Sequence, residues 1–193
     1  MHVQQYLLDH SQIQDTLKRM VCFPIHAPLR PSQSSSTEVN REKYYGFDSH
    51  QLEICRKEAF ASEIAIDYTQ VFGGSPETHT TDSIVKSWEG LWTKITIASH
   101  ALSNILPQLS LNQYHDDKKP DAVHVDMNID VYLVRDEPDG KQVTANARAR
   151  MAIEVVRQGT KEGENPWRVS KMVVHKVSAD GFVSPLISEL HVS

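Results

Sequence analysis

Cysteine is almost missing from this chain. Cys22 and Cys55 are the two in 193 residues, so there is no disulfide framework, and a reducing compartment such as the cytoplasm is expected. Neither sign of charge dominates. Twenty Lys and Arg stand against 25 Asp and Glu, a net charge of -5 with no basic stripe, which argues against nucleic acid as a partner. No apolar run approaches the ~18 residues that span a bilayer, so no membrane partner is expected. The opening MHVQQYLLDH lacks a basic segment followed by an apolar one, and no signal peptide is expected there. Zinc spacings (CxxC, HExxH, HxH), a Walker loop, GxGxxG and a G-x-S-x-G elbow are all missing. Asp126, Asn128, Asp130 and Glu137 imitate a calcium-loop spacing, but Val131 stands where that loop needs glycine and the run alternates like a strand. What is left is acid/base chemistry in an apolar pocket, with no metal and no cofactor.

What is present reads as one domain over 1–193, with 39% hydrophobic residues and one core. Asp9 reads as a helix N-cap with Gln12 closing a capping box. Ile13, Leu17, Met20 and Val21 follow as one apolar stripe, ended by Pro24. Residues 24–46 hold three prolines and a serine run and read as a surface loop insertion. Tyr44, Tyr45 and Phe47 close it, either as a lid or as a staple for the next helix. Asp48 or Ser49 caps a second helix through Leu52, Cys55, Ala59 and Phe60. Ile64, Ile66 and Tyr68 alternate as a strand, and a turn follows at Gly73-Gly74. Thr80 or Thr81 caps a third helix with the apolar face Ile84, Val85, Trp88, Leu91 and Trp92.

Strand pattern resumes at Thr96. Val123 to Leu133 alternates with the polar row His124, Asp126, Asn128, Asp130 and Tyr132, which reads as the wet face of an antiparallel sheet. Val143 to Ile153 alternates with Thr144, Asn146, Arg148 and Arg150, read as facing outward. A final strand carries Trp167, Val169, Val173 and Val177, and 178–193 form a tail. Helices first and long antiparallel strands after them imply an α+β fold, with helices on one face of a curved sheet. Its other face needs cover, which a second copy of the chain supplies, so a homodimer is expected.

The residues that carry chemistry cluster in 64–104. His100 and Asn104 are four apart and share a face with Leu102 if the strand is regular. An imidazole ordinarily titrates near ~6.5 and suits proton transfer; an amide beside it can hold a developing oxyanion. Tyr68 offers a phenol that can donate to a carbonyl. Asp67 points the other way, as a turn cap or as a group orienting a histidine. Trp88 and Trp92, one turn apart, are core residues or the flat wall of a pocket.

Ile66-Asp67-Tyr68, Phe72-Gly73-Gly74, Trp88, Ser99-His100 and Asn104, in that order, resemble the SnoaL-like family, a branch of the nuclear-transport-factor-like proteins. The resemblance covers the first helix and 52–177. It implies a cone-shaped α+β barrel, N-terminal helices in the concave face of a bent, mixed, largely antiparallel sheet. It also implies the chemistry of polyketide cyclases, scytalone dehydratase and fungal terpenoid isomerases. On that basis His100 would move the proton, Tyr68 would polarise a carbonyl, and Asp67 would assist. Trp88, Trp92, Asn104, Leu102 and Tyr132 would line the site, Tyr132 standing near the place of the dehydratase's second histidine. The tyrosine and aspartate that the dehydratase places just past its first helix have no counterpart at Val21-Cys22-Phe23-Pro24. The cyclases' late carboxylate would be Asp130 or Glu154. The implied reaction is cyclisation, isomerisation or dehydration of an apolar polycyclic intermediate of secondary metabolism. The alternatives are a ligand- or protein-binding member of the fold, and an epoxide hydrolase, whose Asp-Arg-Asp set cannot be assembled from the sequence.

Overall fold

A computed structural model of the chain describes residues 2–21, 51–159, 161 and 163–181. The proposed loop at 24–46, the Tyr44, Tyr45 and Phe47 cluster, the caps at Asp48 and Ser49 and the tail beyond 181 lie outside the described residues. The chain opens with helix α1, His2–Val21. Leu52–Ile54 form a helical turn, α2, which runs on as a π-helical turn, Cys55–Ala59. Strand β1 is Phe60–Asp67, α3 is Thr69–Phe72, β2 is Glu77–Thr80 and α4 is Thr81–Trp92. Strand β3 spans Ile97–Pro107, and a 3-10 segment covers Leu111–Asp117. The long strands β4, β5 and β6 are Ala122–Asp136, Gln142–Arg157 and Trp167–Gly181. No helix among the described residues is long and apolar enough to cross a membrane.

The six strands form one sheet in the order β2-β1-β6-β5-β4-β3. The β1–β6 pair is parallel and the rest are antiparallel. α1 packs against both β6 and β3, which have two other strands between them. A flat sheet would hold those strands roughly 14 Å apart, so the sheet is bent around the helix. The architecture is the α+β one expected, with α1 in the concave face. Its apolar stripe is sealed: Ile13 and Leu17 are 0% exposed, and Met20 and Val21 are buried with them.

Four readings of the sequence are corrected. Asp9 is not a cap; the helix starts seven residues earlier, and Asp9 is a wholly buried residue within it. Phe60 opens β1 instead of closing the second helix, because a π-turn consumes the helical register at Ala59. Tyr68 lies one residue past β1 and leads into α3. On β6, Met172 and Val174 face the core while Val177 is 64% exposed. A register shift opposite Glu154 and Val155 changes which alternate residues point inward. The third helix is as read: the Thr80 hydroxyl accepts from the Ser83 amide at 3.2 Å, and Ile84, Val85 and Trp92 are buried.

A polar lock holds α1 to the far end of the sheet. The Asp9 carboxylate accepts from Arg157 Nη2 at 2.6 Å, the Tyr114 hydroxyl at 2.9 Å, Gln5 Nε2 at 3.0 Å and Trp167 Nε1 at 3.4 Å. Arg157 lies over the Trp167 ring, 4.4 Å from its centroid. Two turns on, Thr16 donates to the Trp167 carbonyl at 3.2 Å, and Asn165 Nδ2 donates to Thr16 Oγ1 and the Gln12 carbonyl. Four donors satisfy a carboxylate that would otherwise be costly to bury.

Candidate active site in the concave face

His100 pairs in register with Val131, and Val131 with Ala147, so these three share a face. It is the face against which α1 packs. Along it, Val123, Val125, Met127 and Ile129 of β4 and Met151, Ile153 and Val155 of β5 are buried. The other end of the same face is only half-buried: His100, Leu102, Val131, Leu133, Ala147 and Ala149. Helix α1 therefore seals one half of the concave face and leaves the other half-covered, a candidate hollow floored by small side chains. Between Ala98 and Leu102, Val123 and Leu133, and Ala145 and Val155, every side chain of that face is apolar except His100.

Tyr68 stands on the other flank. α3, which it leads into, packs on β6, and its ring lies 5.2 Å from that of Phe72. Its phenol has no hydrogen-bond partner among the described residues, and burial pushes its pKa up to about 12. It is thus a neutral donor held against apolar neighbours. Asp67 pairs with Val173, on the opposite face, and accepts from the Thr69 amide at 3.0 Å and hydroxyl at 2.7 Å. Those bonds, with weaker help from His175 and Lys171, hold its carboxyl below the usual range. Asp67 is the turn cap of the two readings.

The regular strand assumed beyond Leu102 is corrected. The β3–β4 register shifts between Ser103 and Leu106, and Asn104 sits at φ 51. One extra residue is accommodated there as a bulge, with asparagine in the left-handed region it tolerates better than most. Asn104 is exposed, so its alignment with His100 by simple alternation is lost. Leu102 keeps the face of His100, opposite Ile129. Tyr132 pairs with Ser99 on the outer face and is 42% exposed, so alternation takes it away from the hollow. Asp130 is also outside, ion-paired to Arg148 at 2.9 Å. Exposed Glu154 accepts from Ser170 at 3.2 Å on the same outer side. Trp92 is 7% exposed within the core. Trp88 packs edge-on against Phe60 with ring centroids 5.4 Å apart, at the opposite end of β1 from Tyr68.

One bordering residue was missed. The shift at Ser170 turns Lys176 to the face of Met172 and Val174, opposite Ala149 at the edge of the hollow. Strict alternation in the sequence hid it, because nothing short of the sheet register reports a bulge. No group of three His, Cys, Asp or Glu among the described residues is placed to hold a metal.

No family model matches the sequence, and no curated protein matches it. Solved structures do. The Kfla4162 protein of Kribbella flavida is 13% identical over 90% of this chain and 93% of its own, with a TM-score of 0.62. The Rv3472 protein of Mycobacterium tuberculosis, of unknown function, is 12% identical over 97% and 89%, at 0.54. A candidate scytalone dehydratase from Novosphingobium aromaticivorans is 15% identical over 69% and 76%, at 0.50. The bent six-stranded sheet wrapped on α1 is a cone-shaped α+β fold, and these solved structures share it.

Proposed function

We propose that the hollow binds an apolar polycyclic small molecule and that His100 moves a proton on it, in a cyclisation, isomerisation or dehydration that needs no cofactor. The observation that carries this reading is His100 as the single polar side chain on a half-buried, alanine-floored stretch of β3, β4 and β5. In such surroundings a bound carbonyl compound sheds water, and a proton donor or acceptor acts with little competition from solvent. Tyr68, neutral over the whole physiological range, donates to the carbonyl oxygen as enolate character develops. Leu102 supplies apolar wall, and Lys176 stands where it attracts an anionic product or enolate. Trp88 and Trp92 stay with the core at the far end of β1, Asn104 lies at the rim, and Asp67 acts on Tyr68 only by fixing the turn that follows β1.

The test is a thermal-shift screen of polycyclic ketones derived from polyketides and terpenoids, followed by turnover assays on the hits. His100→Gln is expected to keep the melting temperature and the ligand-induced shift while turnover falls by ~10²–10⁴-fold. Tyr68→Phe is expected to lose less, because water can replace the phenol as donor. A His100→Gln variant that turns over like wild type removes the acid/base assignment and leaves a binding protein. A variant that no longer takes up ligand makes His100 a contact residue instead.

A further inference from the structure

A second cavity opens at the other end of β6, independent of the hollow at His100. It has a volume of about 680 Å³ and lies between the π-turn, the β2–α4 junction and the β5–β6 turn. Arg56, Lys57, Lys161 and Arg168 line it, against the carboxylates of Asp82 and Glu164. That is a local excess of two positive charges in a chain whose net charge is -5. The cations differ in how far they are already engaged. Arg56 pairs with Glu53 and, through Nε at 3.0 Å, with Asp82. Lys57 is mostly exposed and lies 3.4 Å from Glu53.

Arg168 forms the floor and is 8% exposed. Its Nη1 donates to the carbonyls of Asn165 and Trp167, both at 2.7 Å. Those bonds use both protons of Nη1 and tie the guanidinium to the start of β6. The opposite edge, Nε with Nη2, has no partner among the described residues, and neither atom is sealed from the cavity. That edge is the one whose parallel N–H pair matches two oxygens of a carboxylate or phosphate. Capping of the turn accounts for Nη1 and leaves this fork without a task. Burial pushes the guanidinium below its ordinary pKa, reinforced by Arg19 and opposed by Glu58 and Glu164; a bound anion would relieve that cost. Ser62 and Gln158 add polar groups to the walls.

We infer that this cavity binds the oxyanion group of a small polar molecule, a carboxylate or a phosphate, on the free Nε–Nη2 edge of Arg168, with Lys57 and Lys161 at the rim. The test is calorimetric titration of the whole chain at low ionic strength, with inorganic phosphate in one arm and malonate in the other. Saturable heat that weakens with added salt is expected in at least one arm, and the arm that gives it names the oxyanion. No saturable binding in either arm overturns the inference. Arg168→Lys keeps the charge but loses the fork, and binding is expected to weaken by ~10-fold, as for the loss of a charge-assisted hydrogen bond. A folded Arg168→Lys variant that binds like wild type also overturns it. Should that variant not fold, the exposed double variant Lys57→Gln, Lys161→Gln decides: several-fold weaker binding supports the site, and unchanged binding rejects it. Arg148→Gln, on the outer sheet face, is expected to leave anion binding in this cavity unchanged. If it weakens binding as much as the rim variant, the anion follows the general field of the protein and the site is rejected.

Discussion

Asp9 is the residue on which α1 depends. Removing the carboxylate strands Arg157 and leaves the buried Tyr114 hydroxyl without its acceptor. Breaking one side of a buried ion pair costs about 3–5 kcal/mol, so Asp9→Ala is expected to lower unfolding free energy by that order in urea titrations, and Asp9→Asn by less. Two tyrosines set the alkaline limit. The phenols of Tyr68 and Tyr114 are both pushed up by burial, and that of Tyr114 further by its bond to Asp9. Each stays protonated in the folded chain where the unfolded chain ionises. Stability from this source is therefore intact below pH ~10 and falls from there through about 12, the value for Tyr68, at up to ~1.4 kcal/mol per pH unit for each phenol. Tyr68→Phe is expected to make the fall shallower by one tyrosine's share in denaturation series between pH 9 and 11 (about the reach of such buffers). An unchanged slope would mean that the phenol is solvated in the folded chain.

Among the elements, the strand ends and bulges carry most of what alternation cannot reveal. Gly181 closes β6 at φ 75, and a Cβ there would stand 2.2 Å from the Thr144 carbonyl oxygen. Gly140, at φ 80 in the β4–β5 turn, meets nothing within 4 Å. Gly140→Ala is expected to cost only the left-handed conformation, about 1–2 kcal/mol. Gly181→Ala adds a backbone clash and is expected to break the rung where Asp180 accepts from the Asn146 amide at 3.0 Å. Hydrogen exchange at Asn146 measures that break directly; protection equal to wild type would show that the strand end absorbs the methyl. The same contrast explains what the sequence could tell. The α1 stripe, the cap at Thr80 and the inward row Val123 to Ile129 were legible because each obeys one period. The inward set of β6, the face of Asn104 and the place of Lys176 were not, because an inserted residue flips a strand and leaves no mark in composition.

For the whole molecule, the outer, convex sheet face is polar and carries a shallow depression of about 480 Å³ lined in part by Asp130, Tyr132, Arg148 and Asp180. A second copy seated there is the expected cover, and sedimentation at micromolar concentration should give a dimer that Arg148→Glu splits by setting two acids side by side. A wild-type monomer would remove that expectation. The sequence resemblance carried the cone, which rests on order along the chain; it could not place Asp9, whose four partners lie in α1, the 3-10 segment, β5 and β6. That lock also sets a schedule for folding. Asp9 meets Arg157 and Trp167 across 148 and 158 residues of chain. β1, too, gains its parallel neighbour only from β6. Loop closure over such spans must precede any reward from the contacts, which makes folding slow. During synthesis α1 would meet the π-turn at Cys55–Ala59 first. Its cover is completed only when β6 arrives, and in that interval the chain is a natural client for a chaperone.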